Sequence, residues 1–500
     1  MKRFNVPCVL LSAVMLVSIF TGCGKSSAKT GDLYKQIPNF KDSEIDYGGK
    51  DFRIMVWGSG DKPQTEAGES DKLNLAKLHQ EVAKRNNIGK IVWDNVGDWM
   101  TFQPSLTAAV LANNAPDIAV MVTNWYFPSA TNNQICEIPE AQKIVDDSIL
   151  YLDKVSLGYK DNGKYYGLLD DRYISSAEGI CYNKDLMKKY SLEDPAKLFL
   201  EDKWDFDTFF KYCETLSKDT DGDGVTDIYG YGCPGVMDGR ADALNFLSAN
   251  GADMLIRNNN RFEIGFTDKK ALGGLNLIKK ILFDNSYADI ELSMDFTRIT
   301  GMFKNQKVAM MGMSAWGVGM AESFPAGFVG YPKGPDAGDN YHMWNESPNM
   351  ICVPKGSGSA DNPANALKVY EQIRLSNFMT SWTDQNGTGL DADILGSIKQ
   401  ELDNIDSKGK IAMTDYSLKS WAGTEITEYT YPALRKVISH QEFAPFEGSN
   451  EFRFYGKSIF SDIAFGDNDP EGALKTHKST FQPVIDRDIN DVLDAFEAEK

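Results

Sequence analysis

Between Lys50 and Thr123 the chain alternates short apolar runs with amphipathic stretches. Lys50–Trp57 (KDFRIMVW) reads as a first strand. A polar, Gly-rich run follows, and Ser70 or Asp71 then caps a helix predicted to about Asn87. Leu75, Leu78 and Val82, with the small Ala76 and Ala83, give that helix one apolar face. Gly89 closes it, and Lys90–Trp93 is the second strand. Ser105–Asn113 predicts the next helix, stopped by Asn113, Asn114 and Pro116. Asp117–Thr123 is β-branched and apolar, short enough for a buried parallel strand. The order βαβαβ is the unit of a parallel sheet with right-handed crossovers.

Asn124, Trp125 and Tyr126 are expected in the loop just past that strand's carboxyl end. Ligands of open α/β sheets bind outside the carboxyl ends of the strands. Two aromatics and an amide there suit stacking and hydrogen bonding; the plainer reading makes them rim residues packed on a neighbouring loop. Further on, Tyr165–Leu169 and Gly179–Tyr182 read as short extended segments. A helix starts at Asn183-Lys184-Asp185, and another at Trp204-Asp205-Phe206 with Asp205 as N-cap. Helices over Ala241–Asn250, Lys269–Asn285 and Pro363–Asn377, and strands over Val308–Met313, Phe328–Tyr331 and Met350–Val353, continue an α/β pattern. The C-terminal part reads as helices over Ile394–Ile405, Pro432–Ser439 and Val484–Ala495. No internal repeat is evident.

At 500 residues with 42% hydrophobic content, two α/β domains are the natural expectation. The formal net charge of −19 argues against a nucleic-acid partner, which wants clustered Lys and Arg. The N-terminus fixes the expected location. Lys2 and Arg3 precede an apolar Val6–Phe20, followed by Thr21-Gly22-Cys23, the pattern of a signal peptide too short to span a bilayer. The small residues before Cys23 resemble a bacterial lipobox, which implies cleavage before Cys23 and a lipid on it; Phe20 departs from the usual Leu. Ordinary secretion is the alternative. Residues 23–47 read as the lipidated cysteine and a polar, flexible tether.

Cys136, Cys181, Cys213, Cys233 and Cys352 remain after Cys8 and Cys23. Five thiols at irregular spacing are no disulfide framework and read as small buried hydrophobes. A sharper motif is Asp219-Thr220-Asp221-Gly222-Asp223-Gly224-Val225-Thr226-Asp227. Carboxylates at positions one, three and five, Gly at six and the Val225 carbonyl at seven match the start of an EF-type calcium loop, with Asp227 at nine. Position twelve is Gly230, so the usual bidentate Glu is missing. The loop is expected to hold a structural Ca2+ or to be a charged turn.

Several segments in one order resemble the bacterial extracellular solute-binding proteins of family 1, the lipid-anchored receptors of carbohydrate ABC transporters. They are the lipobox, Val56–Lys62, Ala115–Ile118, Gly179–Leu186, Trp204–Phe209, Asn250–Ala252, Phe303–Met310 running to Trp316-Gly317, Pro332–Pro335 and Val353–Ser357. The match reaches about residue 375 and loosens beyond. The resemblance implies a type II periplasmic-binding-protein-like fold, with a ligand cleft between two lobes joined by hinges. It implies lobe 1 over 48–178 and 347–395 and lobe 2 over 179–346 and 396–500, with a third crossing around Leu390–Asp403. By similarity to maltose-type receptors, Asp61 and Lys62, Asn124 and Trp125, and the stacking aromatic Trp316 face the cleft. Asp170, Asp171, Arg172 and Glu178 stand at the first crossing, and Trp344, Asn345 and Glu346 at the second. The implied partners are a carbohydrate and an ABC permease, with the membrane met through the lipid alone and the protein a monomer.

Two other classes stay open. A peptide or polyamine receptor would suit an acidic cleft. A glycosidase needs two carboxylates at a set separation, which sequence does not show. His79, His342, His440 and His477 form no HExxH motif, and no GxSxG elbow occurs. No catalytic residue is assigned.

Overall fold

The computed structural model describes residues 33–57 (apart from 38, 39 and 43), 70–148 (apart from 98), 164–169, 177–232, 240–265 (apart from 254, 259 and 260), 269–288, 296–345 (apart from 322), 349–382, 433–443 (apart from 435, 438 and 439) and 469–498. The signal peptide, Cys23, Cys233 and the third crossing lie outside the described residues.

Thirteen strands are described, most of them in two sheets. The first holds β1 (Phe52–Val56), β2 (Ile91–Asn95), β3 (Ile118–Val122), β4 (Leu168–Leu169) and β12 (Asn349–Cys352), in the order β2-β1-β3-β12-β4. The β1–β2 and β1–β3 pairs are parallel, as the βαβαβ pattern requires. β12 enters antiparallel between β3 and β4, with Asn349 opposite Val122 and Met350 opposite Leu169. β3 is buried along its whole length, which is why it reads as an unbroken apolar run.

The second sheet holds β5 (Glu178–Asn183), β6 (Tyr229–Gly232), β9 (Val308–Ser314) and β10 (Ala326–Val329), in the order β10-β5-β9-β6. Only β6–β9 is parallel in it. Two ribbons accompany the sheets: β7 (Leu255–Asn258) with β8 (Arg261–Ile264), antiparallel, and β11 (Met343–Asn345) with β13 (Gln441–Phe443), parallel. The chain therefore passes from the first sheet to the second between Leu169 and Glu178, and returns between Asn345 and Asn349.

Capping chemistry sets several helix starts. Asp205 accepts from the Thr208 amide at 2.8 Å and opens the Phe206–Leu216 helix; Asn183 does the same for Leu186 at 3.1 Å. The C-terminal helix starts earlier than its apolar pattern predicts, at Pro470. Asp469 caps it through Gly472, and Pro470 occupies the first turn, where its missing N–H costs nothing. The helix expected over Ser105–Asn113 also starts early, at Trp99, and runs through Pro104 to Leu111. Phe102, fully buried, holds that extra turn in place.

The segment before β1 differs from a free tether. Leu33–Gln36 forms a short 3-10 turn, and Leu33, Tyr34, Ile37 and Ile45 are buried. Full burial of an aliphatic side chain of this size is worth about 1.5–3 kcal/mol, enough to hold such a segment down. Cys136, Cys181, Cys213 and Cys352 are free thiols and buried. Burial raises each thiol's pKa, that of Cys136 to about 11, so they behave as small hydrophobes.

His79 is buried on the Ser70–Arg85 helix, and its Nε2 finds no partner among the described residues. Burial lowers its pKa to about 4. The folded protein thus holds fewer protons than the unfolded chain between about pH 6.5 and 4. Stability attributable to this group is intact above pH 6.5 and falls as pH drops through that window. The loss at pH 4 is roughly 2–3 kcal/mol. Denaturant titrations at pH 7 and pH 4.5 check this: His79→Leu should flatten the difference between the two, whatever the carboxylates contribute to both proteins.

Candidate functional site

β1 and β3 run parallel, so their carboxyl ends share one edge of the first sheet. Trp57 directly follows β1, and a helix, Thr123–Thr131, directly follows β3. Asn124, Trp125 and Tyr126 thus lie in the first turn of a helix, where a loop was expected. The reason is local: the segment from Thr123 to Pro128 contains no glycine, and proline is absent until Pro128. Trp125 stacks on Phe102 with centroids 4.4 Å apart and planes 9° from parallel. It meets Trp57 edge-on at 5.5 Å. Offset-stacked and edge-to-face pairs add about 0.5–1.5 kcal/mol each beyond burial. The result is an aromatic cluster of Trp57, Phe102 and Trp125 at the carboxyl edge of the sheet. Trp125 is only 7% exposed, whereas Trp57 is half-buried. Tyr126 is core: its hydroxyl accepts from the Tyr166 amide at 3.3 Å.

At the second sheet, Glu178 opens β5 and stands opposite Ser314, the last residue of β9. The Ser314 hydroxyl donates to the Glu178 carboxylate at 2.7 Å. Ala315–Met320, which carries Trp316, turns away from β9 as a 3-10 helix immediately beyond. Glu178 and Trp316 are thereby brought to one end of one sheet, next to the first crossing.

Trp344, in β11, is only 3% exposed; its amide donates to Asn245 Oδ1 at 2.8 Å. Its indole Nε1 finds no partner among the described residues. In this conformation it packs as a core residue one step from the second crossing. Asp61, Lys62, Asp171 and Glu346 lie outside the described residues, as do Asp170 and Arg172. The backbones of Asn124, Trp316 and Asn345 are placed without their side chains. Sequence reasoning missed Trp57, Phe102 and Ser314 as partners. Nothing in the spacing of Phe102 and Trp125 marks them as a stacked pair, since they sit on separate helices.

The acidic loop folds as a compact turn. Asp219 accepts from the Gly222 amide at 2.7 Å and the Gly224 amide at 2.8 Å. Gly222 and Gly224 both take positive φ, +82° and +88°, which glycine adopts without strain. These two amides, Gly224 first, hold the Asp219 carboxyl below the usual range. The Thr220 hydroxyl and amide do the same for Asp227. Carboxylate oxygens of Asp219, Asp221 and Asp227 converge within 4.8 Å of one another. Asp223 instead turns back to the Val225 amide at 2.7 Å, and Val225 is exposed.

The gap at position twelve has a physical cause. Gly230 lies in β6, and a Cβ there would meet the Cys213 carbonyl oxygen at 2.1 Å. No side chain fits, so the loop cannot take a Glu at that step. Gly230→Glu should therefore destabilise the protein by about 1–3 kcal/mol or more, the cost of overpacking against backbone, and a lowered melting temperature by circular dichroism checks this.

Two sheets between which the chain passes at two places among the described residues, with aromatics at the carboxyl edge of one and a carboxylate at the crossing, define a two-lobed solute receptor of the periplasmic-binding type. Residues 77–370 match the family model for bacterial extracellular solute-binding protein, and the chain belongs to that family. Among solved structures it is similar to a cyclo/maltodextrin-binding protein complexed with maltotetraose, with TM-score 0.57, 17% identity, and 87% of this chain and 99% of that chain covered. An ABC substrate-binding protein of Listeria monocytogenes in complex with cycloalternan aligns with TM-score 0.54 and 15% identity, covering 88% and 98%. A solute-binding protein of Thermotoga lettingae bound with α-D-tagatose gives 0.54 and 16%, covering 87% and 100%. At these identities the likeness establishes the fold. No curated protein sequence matches the chain. Among the described residues no helix is long and apolar enough to cross a membrane.

Proposed function

We propose that this solute-binding protein is a lipid-anchored, monomeric receptor that captures a carbohydrate, an oligosaccharide, and hands it to an ABC permease. The observation that carries the reading is the Trp57, Phe102 and Trp125 cluster at the carboxyl edge of the first sheet. Flat apolar faces beside polar groups are what a pyranose ring stacks on. The three structural neighbours are each in complex with a carbohydrate, which favours the same ligand class here. In this reading Trp125 and Trp316 are the aromatic contacts, Asn124, Asp61, Lys62, Asp171, Glu178 and Glu346 are the polar ones, and Trp344 completes the set; Trp125 and Trp344, buried in the described conformation, must shift to meet the ligand. The lipid sits on Cys23. Lobe 1 takes residues 48–178 and 347–395, and lobe 2 takes 179–346 and 396–500. Binding alone is the activity: ligand shifts the population toward a closed state that it favours.

Polyamine or peptide capture is the second reading, favoured by the chain's excess of acids. Thermal denaturation of residues 24–500 against oligosaccharides, peptides and polyamines separates the two. A ligand at 100 times its dissociation constant adds about 2.7 kcal/mol of stability. A shift with one glycan class supports the receptor reading, a shift with polyamines alone replaces it, and turnover of a glycan would make the protein an enzyme. With the glycan in hand, Trp125→Ala and Trp316→Ala should each weaken binding roughly 10- to 100-fold by calorimetry, the loss of about 1.5–3 kcal/mol expected of a stacking aromatic.

We also propose that Asp219, Asp221 and Asp227 bind a structural Ca2+, with Asp223 and the Val225 carbonyl drawn in. Hard oxygen donors at this spacing fit that cation. Calcium added to chelated protein should raise the melting temperature, and Asp219→Asn with Asp221→Asn should remove the rise; an unchanged melting temperature in the parent would make the loop a bare turn.

A further inference from the structure

Residues 33–47 are docked on the elements around the first sheet. The Tyr34 hydroxyl meets Ser376 Oγ at 2.7 Å and donates to the Gln372 carbonyl at 3.0 Å, both on the Pro363–Trp382 helix. The Leu33 amide donates to Glu81 at 3.1 Å on the Ser70–Arg85 helix. Arg85 of that helix lies over the Tyr34 ring at 5.3 Å and the Phe40 ring at 5.5 Å, and pairs with Asp42. Further along, Lys41 pairs with Asp147, Asn87 donates to Asp46 at 2.6 Å, and the Tyr47 amide donates to the Asn86 carbonyl at 2.9 Å. Tyr47 also packs edge-on to Phe52 of β1 at 5.3 Å. All of these partners belong to the elements around the first sheet.

We infer that this segment is a clamp that ties the membrane to lobe 1 alone and on a short leash, leaving lobe 2 as the moving lobe; the inference rests on the lipid at Cys23. Leu33 lies ten residues beyond Cys23, so the leash spans at most about 36 Å. Undocked, the leash would extend to Asp51 before β1 and could span about 100 Å. The clamp thus cuts the reach nearly threefold. It keeps the face formed by the Ser70–Arg85 and Pro363–Trp382 helices within one protein diameter of the lipid surface. Ligand-driven closure then moves lobe 2 against a lobe whose height above the bilayer is fixed.

The test uses the full lipidated chain on phosphatidylethanolamine/phosphatidylglycerol vesicles. Trypsin reads the clamp through Lys35 and Lys41, both exposed in side chain yet held in docked backbone. Tyr34→Ala should speed cleavage there at least about tenfold, because cutting requires local opening. Tyr34→Phe keeps the ring and loses the hydroxyl bonds; a several-fold rise there covers the case in which the alanine variant does not fold. Energy transfer from a dye at Lys77→Cys in lobe 1, or at Lys188→Cys in lobe 2, to an acceptor at the bilayer surface reads the geometry. The lobe 1 dye should give a narrower distance distribution than the lobe 2 dye, and Tyr34→Phe should broaden it. Equal cleavage with and without the Tyr34 hydroxyl, or equal distributions for the two lobes, would overturn the clamp. Vesicle co-sedimentation with a Cys23→Ser control is read separately: its failure would remove the lipid anchor itself, while the trypsin result would still report on the docked segment.

Discussion

The insertion of β12 between β3 and β4 is the constraint on which the architecture depends. β3 is buried on both faces, and its free edge would leave a row of unpaired backbone groups in the core. Residues 349–352 fill that edge, yet they come more than two hundred residues later in the chain. The first sheet cannot close until the second has been threaded between its own parts. Two lobes follow from this. So do the two passages seen among the described residues, one ending at Glu178 and one starting at Asn345, each beside strand ends. Such long-range pairing also implies slow folding, because loop closure must precede the contacts that reward it.

A second node supports the same sheet from its polar side. Asp117 accepts from the Arg53 amide at 2.8 Å and from the Ser359 hydroxyl at 2.6 Å, and Ser359 in turn meets the Tyr47 hydroxyl at 3.1 Å. Burial pushes the Asp117 carboxyl up, and these hydrogen bonds push it back. One side chain thus joins β1, the start of β3, the turn after β12 and the segment before β1. Buried networks of this kind hold a unique arrangement only when each member is satisfied. Here the chain's N-terminal segment supplies one of the members, which is why it behaves as part of the lobe.

What could be read from the sequence was whatever depends on local periodicity. β1, β2 and β3, the helix between the first two, the Asp205 cap and the helix start at Asn183 are all legible, because each is set by residues a few positions apart. The loop after β3 was misjudged: the burial of Trp125 depends on Phe102 from a different helix, and no spacing encodes that. Tyr34 reads as tether for the same reason, since its partners Gln372 and Ser376 lie some 340 residues away. The acidic loop shows both sides. Its motif was plain, and so was the absence of a twelfth-position acid. That the absence is enforced, by Gly230 packed on Cys213, became visible only with β6 in place.

The second passage restricts how the lobes can move. Only three residues separate Asn345 from Asn349, so the ends of β11 and β12 stay within about 14 Å of each other in every state. Sliding of one lobe over the other is thereby limited, and rotation about the passages remains. Trp344 sits one residue from this link and is anchored through its amide to Asn245 on the Arg240–Ala249 helix, which fixes the lobe 2 end of the pivot. Glu178, tied to Ser314, fixes the corresponding end at the first passage. Rotation about these passages would swing the end of β9, with Trp316 beyond it, while the aromatic cluster after β1 and β3 stays with the first sheet. A ligand touching both would gain contacts only in the closed arrangement, and that difference in affinity is what allows binding to drive closure.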